Sequence, residues 1–258
     1  MSVYSANLGF LWTDVSLPEA VAKAAAAGFV AVECHWPYDT PAADLRAALD
    51  KNGLKLLGVN TLRGDTDKGE NGLAALTGRE TEAKASISQA LDYARETGAG
   101  AVHVMAGFAS GQAARETFVA NLKFACAEAA GSDIKILIEP LNHYDAPGYF
   151  LSTTSQAVAL IEEINQPDLK LMFDCYHVQL MEGDLTNRFQ KVLPHIGHVQ
   201  FASVPDRGPP DSGEINYRYL FTMMAESGYS APLGAEYKPV GATDDSLGWL
   251  KIFSNYPA

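Results

Sequence analysis

Ile136-Leu137-Ile138-Glu139 is a run of three apolar residues that ends in a carboxylate. The same figure recurs as Leu171-Met172-Phe173-Asp174, Gly197-His198-Val199-Gln200 and Pro232-Leu233-Gly234-Ala235-Glu236. Runs this short and this apolar read as buried strands. A carboxylate finishing a buried strand is costly unless it is paired or bound to a cation. Four oxygen-bearing endings, one per repeat of a strand–helix pattern, point to a single site assembled from four strands. A parallel (β/α)8 barrel keeps its chemistry at that carboxyl-terminal face.

The same alternation runs through the rest of the chain. Strands are expected at 4–8, 30–34, 55–59, 101–105, 135–138, 169–173, 198–201 and 232–235. Helices are expected at 18–27, 42–52, 80–97, 113–130, 155–165, 185–193, 217–227 and 245–252. Gly28, Gly53, Gly98 and Gly131 stand directly after four of those helices, where a left-handed residue stops the chain. Eight repeats in 258 residues predict an α/β chain folded as a single (β/α)8 TIM barrel, one domain over residues 1–258. A doubly wound open sheet would usually carry G-x-G-x-x-G after its first strand, and the sequence has none there. The segment 61–78 is too long for a tight connection. It follows a strand, so it is expected on the catalytic face as a lid or binding loop.

Composition narrows the function classes. The chain has 31 acidic and 19 basic residues, a net charge of −12 and no basic patch, which speaks against nucleic acid as a partner. Apolar residues make up 47%, yet no run approaches the roughly 18–20 residues that span a membrane. The amino-terminal residues lack the basic and long apolar regions of a secretory signal. Cys34, Cys126 and Cys175 are an odd number at wide spacing, as expected of reduced thiols in a cytoplasmic protein. A homo-oligomer is compatible with this composition.

Strand parity puts Leu137 on the same face as Glu139, Met172 with Asp174, His198 with Gln200 and Gly234 with Glu236. These inward sets are mostly apolar or small, and His198 reads as a satisfied core histidine below Gln200. Three carboxylates and one amide oxygen make a hard-cation site, which suits Mg²⁺ or Mn²⁺ better than Zn²⁺. No compelling cluster of imidazoles is evident in the sequence. Glu139 and Glu236, with a metal between them, could remove a proton beside a carbonyl and return it at the neighbouring carbon. His177, Arg207, Lys238, Asn142 and His143 lie on the same loops and are candidate substrate-binding groups. Arg207 carries the planar fork that suits a carboxylate.

These residues sit in blocks that are specific in combination. They are Ile138 through Tyr144, Asp174-Cys175-Tyr176-His177 with Glu182-Gly183-Asp184-Leu185, Gly197 through Gln200, Gly213-Glu214-Ile215-Asn216-Tyr217, and Glu236-Tyr237-Lys238-Pro239. With them the chain resembles the hydroxypyruvate isomerase family, within the xylose-isomerase-like barrels, over nearly its whole length. The resemblance implies that Glu139 and Glu236 exchange protons with substrate. It implies that Glu139, Asp174, Gln200 and Glu236 hold a divalent cation, and that His177 and Arg207 contact substrate. The family reaction interconverts hydroxypyruvate and 2-hydroxy-3-oxopropanoate, and relatives act on 2-oxo-tetronates. The family pattern has a glutamate where Pro209 stands, and Ala202-Ser203 also departs from it. That places the variation in the loop expected to face substrate.

The expected activity is therefore metal-assisted isomerisation of a small 2-oxo acid through an enediolate. Competing readings are a ketose 3-epimerase on the same glutamates, a barrel relative that cleaves abasic DNA, and a non-catalytic sugar-acid binding barrel.

Overall fold

The computed structural model describes residues 3–254. Its strands are β1 (Tyr4–Asn7), β2 (Ala31–Glu33), β3 (Lys55–Leu56), β4 (Val59–Asn60), β5 (Ala101–His103), β6 (Lys135–Ile138), β7 (Leu169–Asp174), β8 (Ile196–Phe201) and β9 (Leu233–Ala235). The helices are α1 (Leu17–Ala27), α2 (Ala42–Asn52), α3 (Glu80–Thr97), α4 (Gly111–Ala129), α5 (Thr154–Ile164), α6 (Cys175–Met181), α7 (Leu185–Val192), α8 (Tyr217–Glu226) and α9 (Gly248–Ser254). All paired strands are parallel, in the order β3-β2-β1-β9-β8-β7-β6-β5-β4.

The two ends of that order are halves of one strand, interrupted at Leu57-Gly58. Leu57 donates to the Val32 carbonyl at 2.8 Å, while the Leu56 carbonyl accepts from Gly100 at 3.1 Å. The segment thus bonds to both neighbours and closes an eight-stranded TIM barrel. The single strand expected at 55–59 is split because its ladder partner changes at that break.

Parity holds inside the barrel. Leu137 and Met172 pack with Ala101 as a small cluster apart from the main core. Ile136, Ile138, Leu171 and Phe173 point the other way, into the core between sheet and helices. An aromatic cluster seals the seam between the chain's two ends, with Tyr4, Phe201 and Phe221 around the fully buried Trp249.

Two elements differ from expectation. Helix α6 begins directly at the end of β7, where the Asp174 carboxylate accepts from the Tyr176 amide and caps it. At seven residues it is too short to show a period in the sequence. The segment 61–78 is packed rather than free. It contains a 3₁₀ turn at Thr66–Lys68, and Leu73, Ala74 and Ala75 are buried. Ala74 and Ala75 donate to the carbonyls of Met105 and Ala106, which ties its second half to the end of β5.

Gly234 shows why small residues are needed in the inner layer. A Cβ there would lie 2.2 Å from Glu33 Oε1 and 2.9 Å from His198 Nε2. Gly234→Ala should therefore destabilise the protein by about 1–3 kcal/mol, the usual range for overpacking a rigid interior. Urea unfolding monitored by tryptophan fluorescence reads this directly, and a wild-type midpoint in the variant would contradict it.

Candidate active site

The four predicted strand endings meet at the carboxyl-terminal mouth of the barrel. Register pairs Asp174 on β7 with Gln200 on β8, and Gln200 with Gly234 on β9, so Glu236 follows on the same face. Glu139, Asp174, Gln200 and Glu236 are at most 6% exposed. Ligand atoms of Glu139, Asp174 and His177 lie within 4.8 Å of one another. Gln200 Nε2 donates to Glu236 Oε1 at 3.2 Å.

Arg207 is the cation at the centre of this group. Its guanidinium is 2.5 Å from Glu236 Oε2 and 3.6 Å from both Asp174 Oδ2 and Asp145 Oδ2. It is held between the rings of Phe10 and Tyr176, 4.9 Å from each centroid. Its backbone is left-handed, with φ at 54°, which strains a residue with a side chain. The loop supports that conformation. Lys238 donates its amide to the Arg207 carbonyl at 2.7 Å, and Ser203 Oγ accepts from the Gly208 amide at 3.0 Å.

His177 and Asn142 act together. His177 Nδ1 accepts from the Asn142 backbone amide at 3.0 Å. That nitrogen carries no proton, so Nε2–H must be the donor end. It points toward Asp174 Oδ2 at 3.6 Å and Glu139 Oε1 at 3.9 Å. A metal on Nε2 would require a proton on Nδ1, against the Asn142 N–H. His177 is thus built to donate to an oxygen rather than to ligate. Burial, with Arg207 nearby, brings its pKa down to about 3, so it stays neutral.

Of the other candidates, Asn142 is fully buried and positions His177. His143 is exposed, stacked on Tyr144 and set against Met181. The Lys238 side chain is also exposed, and only its backbone reaches the site, through Arg207.

The first half of the barrel contributes groups that sequence reasoning missed. Asn7 Nδ2 donates to Glu236 Oε1 at 2.9 Å, and His35 Nε2 is 2.8 Å from the same oxygen. His103 Nδ1 is 3.6 Å from Glu139 Oε2, and burial brings its pKa to about 3. Glu33 is buried beside His198 at 3.0 Å. The expected absence of clustered imidazoles is therefore corrected, since His35, His103, His177 and His198 all converge here. The signal lies in the strand endings: β2, β4 and β5 finish in Glu33, Asn60 and His103, polar residues closing short apolar runs.

The carboxylates differ in state. Burial, then the charges of Glu236 and Asp174, raise Glu139 well above the carboxylate range. Burial lifts Asp174 to about 7, with Glu236 adding to it against the pull of Arg207. Burial would raise Glu236 too, but Arg207 and His35 outweigh it and bring it down to about 2. Glu139 Oε1, Asp174 Oδ2 and Gln200 Oε1 are buried without hydrogen-bond partners. Unpartnered buried oxygens among mutually repelling carboxylates are the donor set that a hard divalent cation would satisfy.

Stability should depend on pH with a definite sign. Asp174 binds its proton more tightly folded than unfolded, so its favourable contribution is complete below about pH 4 and is lost as pH rises through about 7. Asp174→Asn keeps an N-cap while removing the charge. In chelator-treated protein, its gain in Tm over wild type should grow between about pH 5 and pH 8. Thermal scans at the two values check this, and a pH-independent difference would refute it.

The family model described as xylose isomerase-like TIM barrel matches residues 21–253. A 2-oxo-tetronate isomerase of Cupriavidus necator is 44% identical over 257 residues, covering 98% of this chain and 99% of the relative. A hydroxypyruvate isomerase of Escherichia coli is 40% identical over 252 residues, covering 96% and 97%. The crystal structure of an AP endonuclease, family 2, from Brucella melitensis superposes with a TM-score of 0.94 at 39% identity, covering 98% and 99% of the two chains. A D-allulose 3-epimerase from Methylomonas sp. shares the fold, with a TM-score of 0.82 at 19% identity over 99% and 97%.

Proposed function

Because the chain belongs to the xylose isomerase-like TIM barrel family, alongside hydroxypyruvate and 2-oxo-tetronate isomerases, we propose that it is an isomerase of three- or four-carbon 2-oxo acids. The observation that carries this reading is the pair Glu139 and Glu236 in one buried mouth, with unpartnered oxygens beside them. Residues 1–258 then work as one domain on a small molecule, in the cytoplasm, without nucleic acid or membrane. The net charge of −12 disfavours a polyanionic substrate.

Glu139, Asp174, Gln200 and Glu236 would hold a divalent cation, Mg²⁺ or Mn²⁺, from their oxygens. When bound, it supplies Lewis-acid polarisation of the substrate carbonyl and offsets developing negative charge. The chain's own groups move the protons. From hydroxypyruvate, one glutamate removes a proton from C3 and leaves an enediolate across C2 and C3. The other glutamate delivers a proton to C2, and transfer of the O3 proton to O2 completes 2-hydroxy-3-oxopropanoate. His177 Nε2–H donates to the substrate oxygen on which charge develops. Arg207 orients the substrate while remaining counterion to Glu236. The buried mouth, with Phe10 and Tyr176 against Arg207, limits water that would otherwise quench the enediolate.

Glu139→Gln and Glu236→Gln should each lower kcat by at least about 10², the usual contribution of a general acid or base. The assay follows hydroxypyruvate and 2-oxo-tetronate turnover with Mg²⁺ or Mn²⁺. Retained turnover in both variants would sink the shuttle. With 2-oxo-tetronate in D₂O, deuterium should enter at the carbon next to the one deprotonated; NMR showing it only at the original carbon, with inversion there, would indicate epimerisation instead.

Cation affinity should also depend on pH. Glu139 and Asp174 bind protons more tightly than free carboxylates, so a cation must displace those protons. Mn²⁺ affinity measured by calorimetry should rise between about pH 6 and pH 8 with proton release, and a flat profile would argue against these two ligands.

A further inference from the structure

A buried carboxylate outside the predicted site sits against one of the proposed ligands. Glu33, at the end of β2, is 4% exposed, accepts two hydrogen bonds and lies beside a histidine nitrogen. Ser5 Oγ donates to Oε1 at 2.7 Å, and His198 Nε2 lies 3.0 Å from the same oxygen. Gln200 Nε2 donates to Oε2 at 2.7 Å. Gly234 leaves the room for this arrangement.

Gln200 is the one proposed ligand whose donor end is ambiguous by chemistry. An amide presents an oxygen to a cation in one orientation and two N–H groups in the other. Its nitrogen lies 2.7 Å from Glu33 Oε2 and 3.2 Å from Glu236 Oε1. Turning the amide over would set its oxygen against both carboxylates. The other end of the amide, Oε1, is buried and has no hydrogen-bond partner. We infer that Glu33 is a positioning residue, which keys the Gln200 amide so that only its oxygen is offered to a hard divalent cation. Ser5 fixes the carboxylate that does the keying, through its hydrogen bond to Oε1. His198 lies in the layer below, 3.0 Å from Glu33 Oε1, but its Nε2 has no hydrogen-bond partner, so the histidine expected to be satisfied is buried and unsatisfied at that atom.

The inference rests on the cation reading above, and Mn²⁺ binding tests the two separately. Calorimetry on chelated and dialysed full-length protein gives the Mn²⁺ dissociation constant for wild type, Glu33→Gln, Gln200→Ala and the double variant. In Glu33→Gln, the new side-chain amide can donate to Gln200 Oε1 and so permit the reversed orientation. Glu33→Gln should weaken Mn²⁺ binding about 10–100-fold, as loss of a group that orients a ligand does. In the Gln200→Ala background, the same change should have no further effect. Additive losses would mean that Glu33 acts by charge through space, and would overturn the keying. His198→Gln retains the Glu33–Gln200 bond and should stay within about threefold of wild type, which separates keying from general loss of packing. Wild-type affinity in Glu33→Gln would also overturn it. A wild-type protein that binds no Mn²⁺ would instead remove the cation reading itself.

Discussion

The constraint on which this molecule turns is buried negative charge. Glu33, Glu139, Asp174 and Glu236 lie in one barrel mouth, none more than 6% exposed, and one guanidinium sits among them. Four isolated carboxylates at that depth would cost far more than a domain's net stability. The chain meets this cost locally. Arg207 and His35 hold Glu236 as a carboxylate, Ser5 and Gln200 donate to Glu33, and Glu139 and Asp174 bind protons more tightly than free carboxylates do. Much of the nearby sequence serves that arrangement, from the strained backbone of Arg207 to the missing side chain of Gly234.

Much of the second half of the barrel was legible because each strand there ends in a side chain with a conspicuous oxygen. Period-two alternation then placed Leu137 and Met172 inside with Glu139 and Asp174, as found. The first half was less legible for a physical reason. Its strand endings are Asn7, Glu33, Asn60 and His103, mostly neutral polar residues that are common at any turn. Only one of those is an acid. The convergence of four histidines could not be read from spacing, because His35 and His177 follow two different strands, His103 ends a third and His198 lies within a fourth, and they meet only when the ring closes. Linear proximity misled in the other direction. Lys238 and His143 follow Glu236 and Glu139 closely, yet the chain has turned outward by then and both side chains are exposed.

The relatives define the neighbourhood of chemistry more tightly than the substrate. A 2-oxo-tetronate isomerase and a hydroxypyruvate isomerase match at similar identity, 44% and 40%. The two named substrates share a 2-oxo acid and differ in length beyond it. In the loop carrying Arg207, Pro209 stands where the resemblance leads one to expect a glutamate, and Ser203 braces the Gly208 amide.

The hydrogen bond from Asn7 to Glu236 joins residues 229 positions apart. Trp12 makes a comparable bond to Thr243, 231 positions away. The last strand, β9, is inserted between β1 and β8. Until it docks, Glu236 has none of its partners and the other acids lack part of their compensation. Contacts of this span are entropically expensive to form early. The site is therefore complete only when the two ends of the barrel meet, because a chain without β9 lacks Glu236 and the hydrogen bonds it receives.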